Sequence, residues 1–273
     1  MLSVVVLFSF LTMKVIMSRN PKGNQQVKKT ANKPIGAAPH AARASNKLVV
    51  TIEDMITLEP LTDRQEDFFE SYDDGVEVQI LDGSPGTGKT MISLYKALES
   101  VLTGDGPHTR VVIVRSTLPT RDQGFLPGTA EEKAEVYEAP YHDICKFLFP
   151  RKPNAYTRLK EQGVIEFIST SYIRGTTLKD CIVIVDEMSN MTGHELESVF
   201  TRQGKNCRMI LAGDYYQSDL EKHADKKSFL SIINIIGSLR EVERIEFGID
   251  DIVRSGIVKS FIIAKQKAGI NFA

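Results

Sequence analysis

Lys89 and Thr90 close the octapeptide Gly83-Ser84-Pro85-Gly86-Thr87-Gly88-Lys89-Thr90, whose types and spacing suit the binding of a triphosphate. It fits G-x-x-x-x-G-K-[ST] at every fixed position. Glycines at 83, 86 and 88 let backbone N–H groups turn inward around phosphate oxygens, and a following helix adds the positive end of its dipole. Lys89 is expected to neutralise charge on the β- and γ-phosphates, and the Thr90 hydroxyl to ligate Mg²⁺. A second acidic element is needed, and Cys181-Ile182-Val183-Ile184-Val185-Asp186-Glu187 supplies it: an apolar run ending in two acids. Asp186 is expected to hold the Mg²⁺ side of the site, and Glu187 to take a proton from the attacking water. Downstream, Gly213-Asp214-Tyr215-Tyr216-Gln217 follows another apolar run. Gln217 can donate and accept at once, which suits contact with both γ-phosphate and water.

These residues must be held by strands and helices in alternation. Short apolar runs at 78–81, 110–114, 164–168, 181–185, 208–212 and 242–247 read as strands, most of them continuous β-branched runs that mark burial on both faces. Amphipathic stretches around 62–72, 89–102, 130–148, 193–203 and 226–238 read as helices, while 104–108 and 150–156 read as loops from their Gly and Pro. The alternation predicts an α/β fold of three layers, with helices on both faces of a mostly parallel central sheet. Its ligand is expected beyond the carboxyl ends of the strands.

Charge divides the 273-residue chain. Eight of its 34 Lys and Arg, and none of its 35 acids, fall in residues 1–50. The rest therefore carries 26 basic groups against 35 acids, a net of −9. We divide the chain into an apolar stretch 1–17, a basic arm 18–47 expected to be disordered, and an ATPase domain 48–273. The apolar stretch is too short to span a bilayer comfortably and lacks a basic leader, so we read it as an over-long reading frame whose true start is Met13 or Met17, with a membrane anchor as the alternative. Cys145, Cys181 and Cys207 form no C-x-x-C pair, and the histidines show no ligand spacing. That predicts reduced thiols, no structural metal and a cytoplasmic protein without a membrane partner.

The order G-S-P-G-T-G-K-T, V-D-E, G-D-x-x-Q-x-D-L resembles the RecA-like domain of superfamily 1 helicases. More closely, the chain is similar to the PhoH-like ATPases, many encoded by bacteria and phages. Val114-Arg115-Ser116 with Gly124-Phe125-Leu126-Pro127-Gly128 and Glu132-Lys133 resembles the family's V-R-S…G-F-L-P-G…E-K. Tyr172-Ile173-Arg174-Gly175-Thr176-Thr177-Leu178 resembles Y-x-R-G-R-T-L, and Asp251-Ile252-Val253-Arg254 resembles D-V-V-R. The likeness covers about residues 55–268. It implies a RecA-like P-loop NTPase fold, ATP and Mg²⁺ as cofactors, and Gln65 as the glutamine that reads adenine. It departs at Ser189, where the family usually has Gln. An ATP hydrolase acting on single-stranded RNA or DNA is the main reading. A regulatory ATP-binding protein with weak hydrolysis, or a small-molecule kinase, are the alternatives. A two-domain helicase completes its site with an arginine from its second domain. Here the expected source is a neighbour in a homo-oligomeric ring, a hexamer among the possible sizes. Arg254, Arg202 and Arg174 are the candidates, with Arg254 expected to face the adjacent protomer.

Overall fold

A computed structural model describes residues 3–7, 12–16, 49–116, 130–214, 220 and 223–268. Six parallel strands form the central sheet: β4 (Val78–Gly83), β5 (Arg110–Arg115), β6 (Ile165–Ser169), β7 (Cys181–Val185), β8 (Cys207–Gly213) and β9 (Val242–Phe247). Their spatial order is β6-β5-β7-β8-β4-β9. Parallel neighbours need crossovers, and helices provide them. The crossover helices are α2 (Lys89–Thr103), α3 (Ala130–Leu148), α4 (Ala155–Glu161), α5 (Gly193–Phe200) and α6 (His223–Gly237), while α1 (Asp63–Asp73) precedes the sheet strands and α7 (Gly256–Lys267) follows them.

Side-chain alternation along the strands divides the core into two layers. On one face Val111, Ile113, Ile182, Ile184 and Ile210 pack with Phe68, Leu94, Leu98, Leu148 and Tyr156 from α1 to α4. On the other, Val112, Val114, Val183, Val185, Met209 and Leu211 pack with Leu196, Val199, Phe229 and Ile233 from α5 and α6. Burial on both faces is why β5 and β7 are unbroken apolar runs. The protein is thus a three-layer α/β domain around a parallel central sheet.

The expected strands and the five expected helices are present, with ends shifted by a few residues. Two helices differ from the reading. Residues 150–156 are not all loop, because α4 begins at Ala155, where Ala155, Tyr156 and Leu159 are buried. The C-terminal α7 carried no sequence expectation. Within the apolar N-terminal stretch, β1 (Ser3–Leu7) and β2 (Thr12–Ile16) pair antiparallel, and β2 pairs with β3 (Thr57–Leu58). No helix among the described residues is long and apolar enough to cross a membrane.

Candidate functional site

The phosphate loop leaves β4 and enters α2 through backbone that only glycine adopts cheaply. Gly83, Gly86 and Gly88 have φ of 122°, 77° and 87°. At Gly83 a Cβ would stand 2.1 Å from the Phe247 carbonyl oxygen, so a side chain there would break the contact with β9. Ser84 N–H donates to that same oxygen at 2.9 Å, and Val253 N–H donates to the Gly86 carbonyl at 3.0 Å. The loop is therefore tied on one side to β9 and the segment after it.

Lys89 Nζ donates to the carbonyls of Gly83 (2.9 Å) and Ser84 (2.8 Å) and lies 3.3 Å from Thr87 Oγ1. Its ammonium thus occupies the mouth of its own loop, where a phosphate oxygen would compete for it. Burial pulls its pKa down to about 8, against the opposing pull of Asp214, Asp82 and Asp186.

The two motifs meet at Asp186. Thr90 Oγ1 donates to Asp186 Oδ1 at 2.8 Å, across 96 residues of sequence. The other carboxylate oxygen accepts a 2.8 Å bond from the Tyr141 hydroxyl on α3. Tyr141 is 1% exposed and Asp186 5% exposed, so both oxygens are engaged inside the protein. Burial first, then the Asp186 charge, raises the Tyr141 pKa well above the usual tyrosine value, keeping it a donor. Glu187 takes a left-handed backbone (φ 51°, ψ 44°) and swings out of the strand line. Arg115 Nη2, at the carboxyl end of the adjacent β5, pairs with its carboxylate at 2.5 Å. Arg115 also lies 5.9 Å from the Tyr137 ring centre, one helical turn before Tyr141. Helix α3 thus reaches both acids, directly through Tyr141 and indirectly through Arg115.

Lys89, Asp186, Glu187 and Ser189 line one cleft of about 400 Å³, together with Asp214 and Lys265 from α7. Gly213 lets β8 come close: a Cβ there would stand 2.7 Å from Met188 Cγ. Neither Tyr141, Arg115 in its pairing role, nor Lys265 was expected from the sequence. Tyr141 and Lys265 lie in amphipathic or unassigned stretches, far from any phosphate-binding pattern.

Gln65 and Arg254 both pack against the phosphate loop. Gln65 is fully buried, at 0% exposure. Its Nε2 donates to the Thr87 carbonyl (2.8 Å) and its Oε1 accepts from Leu61 N–H (2.9 Å). Both ends of the amide therefore brace the phosphate loop against the start of α1. Arg254 lies beside the phosphate loop. Its Cγ lies 2.6 Å from where a Gly86 Cβ would be, so it packs over its own chain's phosphate loop. The segment Ile252–Arg254 is drawn there by the Val253–Gly86 bond. Arg174 is exposed at the carboxyl edge of the sheet, 2.9 Å from His194 Nε2. Arg202 precedes β8, at the opposite edge from the phosphate loop. Gln217 and the Gly124–Gly128 segment lie outside the described residues.

A sequence model of the family described as PhoH-like protein matches residues 57–266. A PhoH-like protein of Mycobacterium leprae is 30% identical over 209 residues, 76% of this chain and 58% of that protein. One from Bacillus subtilis is 33% identical over 187 residues, 68% of this chain and 57% of that protein. Protein PhoH of Escherichia coli is 32% identical over 181 residues, covering 64% of this chain and 49% of the relative. The chain thus spans about half the length of the curated relatives it matches. Among solved structures, the Pif1 helicase of Candida albicans superposes with a TM-score of 0.33 at 16% identity, over 68% of this chain and 39% of that one. With its phosphate loop, its paired strand-end acids and a family match over most of its length, the chain belongs to the PhoH-like protein family.

Proposed function

We propose that this protein is a Mg²⁺-dependent ATPase that couples hydrolysis to the remodelling of single-stranded RNA or DNA, as a ring-shaped oligomer in the cytoplasm. The observation that carries the reading is the 2.8 Å bond from Thr90 to Asp186, beside Lys89. It joins a hydroxyl, a carboxylate and an ammonium in one cleft, the donor set that a metal–triphosphate complex requires. Thr90 and Asp186 fit Mg²⁺, which when bound supplies charge neutralisation on the phosphates.

The chain's own groups do the rest. Backbone N–H groups of Gly86 to Thr90 and the start of α2 hold the phosphates. Lys89 exchanges its carbonyl partners for β- and γ-oxygens. Glu187 accepts a proton from water as the water oxygen bonds to the γ-phosphorus and the bond to the β,γ-bridging oxygen breaks. Glu187 must first leave Arg115, because an ion-paired carboxylate is a weaker base. That pairing favours slow hydrolysis until a partner binds, and so also supports a regulated, low-turnover form of the same activity.

The test compares Glu187→Gln with Lys89→Ala. Glu187→Gln should retain ATP, raise the melting temperature when ATP is added and lose turnover. Lys89→Ala should lose both binding and turnover. Single-stranded RNA or DNA should stimulate the wild type. Equal turnover in Glu187→Gln and wild type would remove Glu187 from the reaction.

A further inference from the structure

The segment Tyr172-Ile173-Arg174 does not line the nucleotide cleft, yet it stands at the same edge of the sheet. It follows β6, whose last residue Ser169 is in register with Arg115 of β5. Tyr172 ends a three-residue 3₁₀ turn and is 69% exposed, whereas the adjacent Ile173 is 0% exposed. The mount beneath the ring is firm. Thr170 Oγ1 donates to Glu195 Oε1 at 2.6 Å, and Thr176 Oγ1 donates to the Ile173 carbonyl at 2.7 Å. A large aromatic face held in water on a pinned turn gains little from folding. Beside it, Arg174 Nη2 lies 2.9 Å from His194 Nε2. Arginine is always a donor, so that nitrogen of His194 acts as the acceptor, and the contact orients the guanidinium.

We propose that Tyr172 is a stacking platform for a base of single-stranded nucleic acid, with Arg174 and His194 taking the adjoining phosphate. An aromatic face accepts any base, and a nearby guanidinium tracks the backbone charge, the pairing that sequence-tolerant single-strand binding uses. The proposal rests on the nucleic-acid part of the proposed function and gives that partner a location. It also supplies a route to the nucleotide. Glu195 Oε1, which holds Thr170, lies 3.4 Å from Ser116 Oγ, and Ser116 follows the Arg115 that pairs with Glu187. Glu195 is itself fixed by a capping box with Thr192 at the start of α5. A strand seated on Tyr172 therefore pulls on a short chain of contacts that ends at the general base.

The experiment measures binding of the full chain to fluorescein-labelled oligo(U) and oligo(dT) by anisotropy, across a salt series. Tyr172→Leu, which keeps bulk but loses the π-face, should weaken binding about tenfold, while Tyr172→Phe should bind as wild type. Arg174→Ala should lower the slope of log affinity against log salt by about 0.7, one phosphate contact. Melting temperatures close to wild type show that the variants are folded. A loss with both oligonucleotides supports the platform generally, and a loss with oligo(U) alone supports it for RNA. Undiminished affinity in Tyr172→Leu overturns the proposal. So does unchanged affinity with loss of self-association in sedimentation, which assigns the ring to a protein contact. If the wild type binds neither oligonucleotide, the platform and the nucleic-acid partner fail together. ATP binding at Lys89, measured separately, then still tests the ATPase reading.

Discussion

Removing one oxygen atom, in Tyr141→Phe, should cost the protein much of its affinity for Mg²⁺ while leaving metal-free nucleotide binding nearly intact. The Tyr141 ring is packed against Tyr156, with centroids 6.4 Å apart, and against Phe167 at 6.1 Å, so phenylalanine fits the same space. What is lost is the 2.8 Å bond to Asp186 Oδ2. A hydrogen bond to a charged group contributes about 1.5–3 kcal/mol, and a buried carboxylate oxygen without its donor loses that stabilisation. The melting temperature should therefore fall by several degrees, at about 2–4 °C per kcal/mol for a domain of this size. The larger effect is on orientation. Thr90 holds one oxygen of Asp186 and Tyr141 the other; without Tyr141 the carboxylate can rotate away from the Thr90 side. Substitution of groups that orient a metal ligand typically costs about 10–100-fold in metal affinity. The assay titrates Mg²⁺ into protein with a fluorescent ATP analogue and repeats the nucleotide titration in EDTA. A Mg²⁺ midpoint within twofold of wild type would refute the orienting role, whatever happens to stability.

Three further outcomes follow from the same geometry. Lys89 is pulled from 10.5 to about 8 by burial, so the cost of its buried charge is complete below pH 8 and fades as pH rises toward 10.5. Stability of the nucleotide-free protein should rise across that window, and ATP, whose phosphates restore the charge, should bind with proton uptake and more weakly as pH climbs above 8. Calorimetry at pH 8.5 in two buffers of different ionisation enthalpy checks this, and equal heats would contradict it. Arg115→Ala should raise turnover severalfold without nucleic acid by freeing Glu187, as measured by steady-state phosphate release; a collapse to the Glu187→Gln level would make Arg115 an aid to the base. Because Arg254 lies over its own Gly86, mixing Arg254→Ala with Glu187→Gln should restore no activity even with proven subunit exchange. Recovery would move Arg254 into a neighbour's site.

What could be read from the sequence is what short-range chemistry dictates. The phosphate loop needs glycine where φ is positive, a lysine and a hydroxyl at set offsets, and a strand and helix on either side; all of that lies within about fifteen residues of Gly83. The unbroken runs of β5 and β7 announce strands covered on both faces. Asp186 and Glu187 stand out because they end such a run. The rest depends on contacts between residues distant in the chain. That Tyr141 meets Asp186, 45 residues away, follows only from the tertiary fold, which brings its hydroxyl on α3 to the acid after β7. Arg115 finds Glu187 because β5 and β7 are neighbours in the sheet, although β6 lies between them in sequence. Gln65 has the right type for reading a base, and only the fold shows its amide bonded between Leu61 and Thr87, bracing the loop. That Arg254 lies over the chain's own loop goes with the Val253–Gly86 bond, which joins residues far apart in the sequence. A local pattern determines which backbone and donors are available. Only packing decides which of them share a site, because a hydrogen bond of 2.8 Å is set by the path of the chain through space and leaves no mark in the spacing of residues.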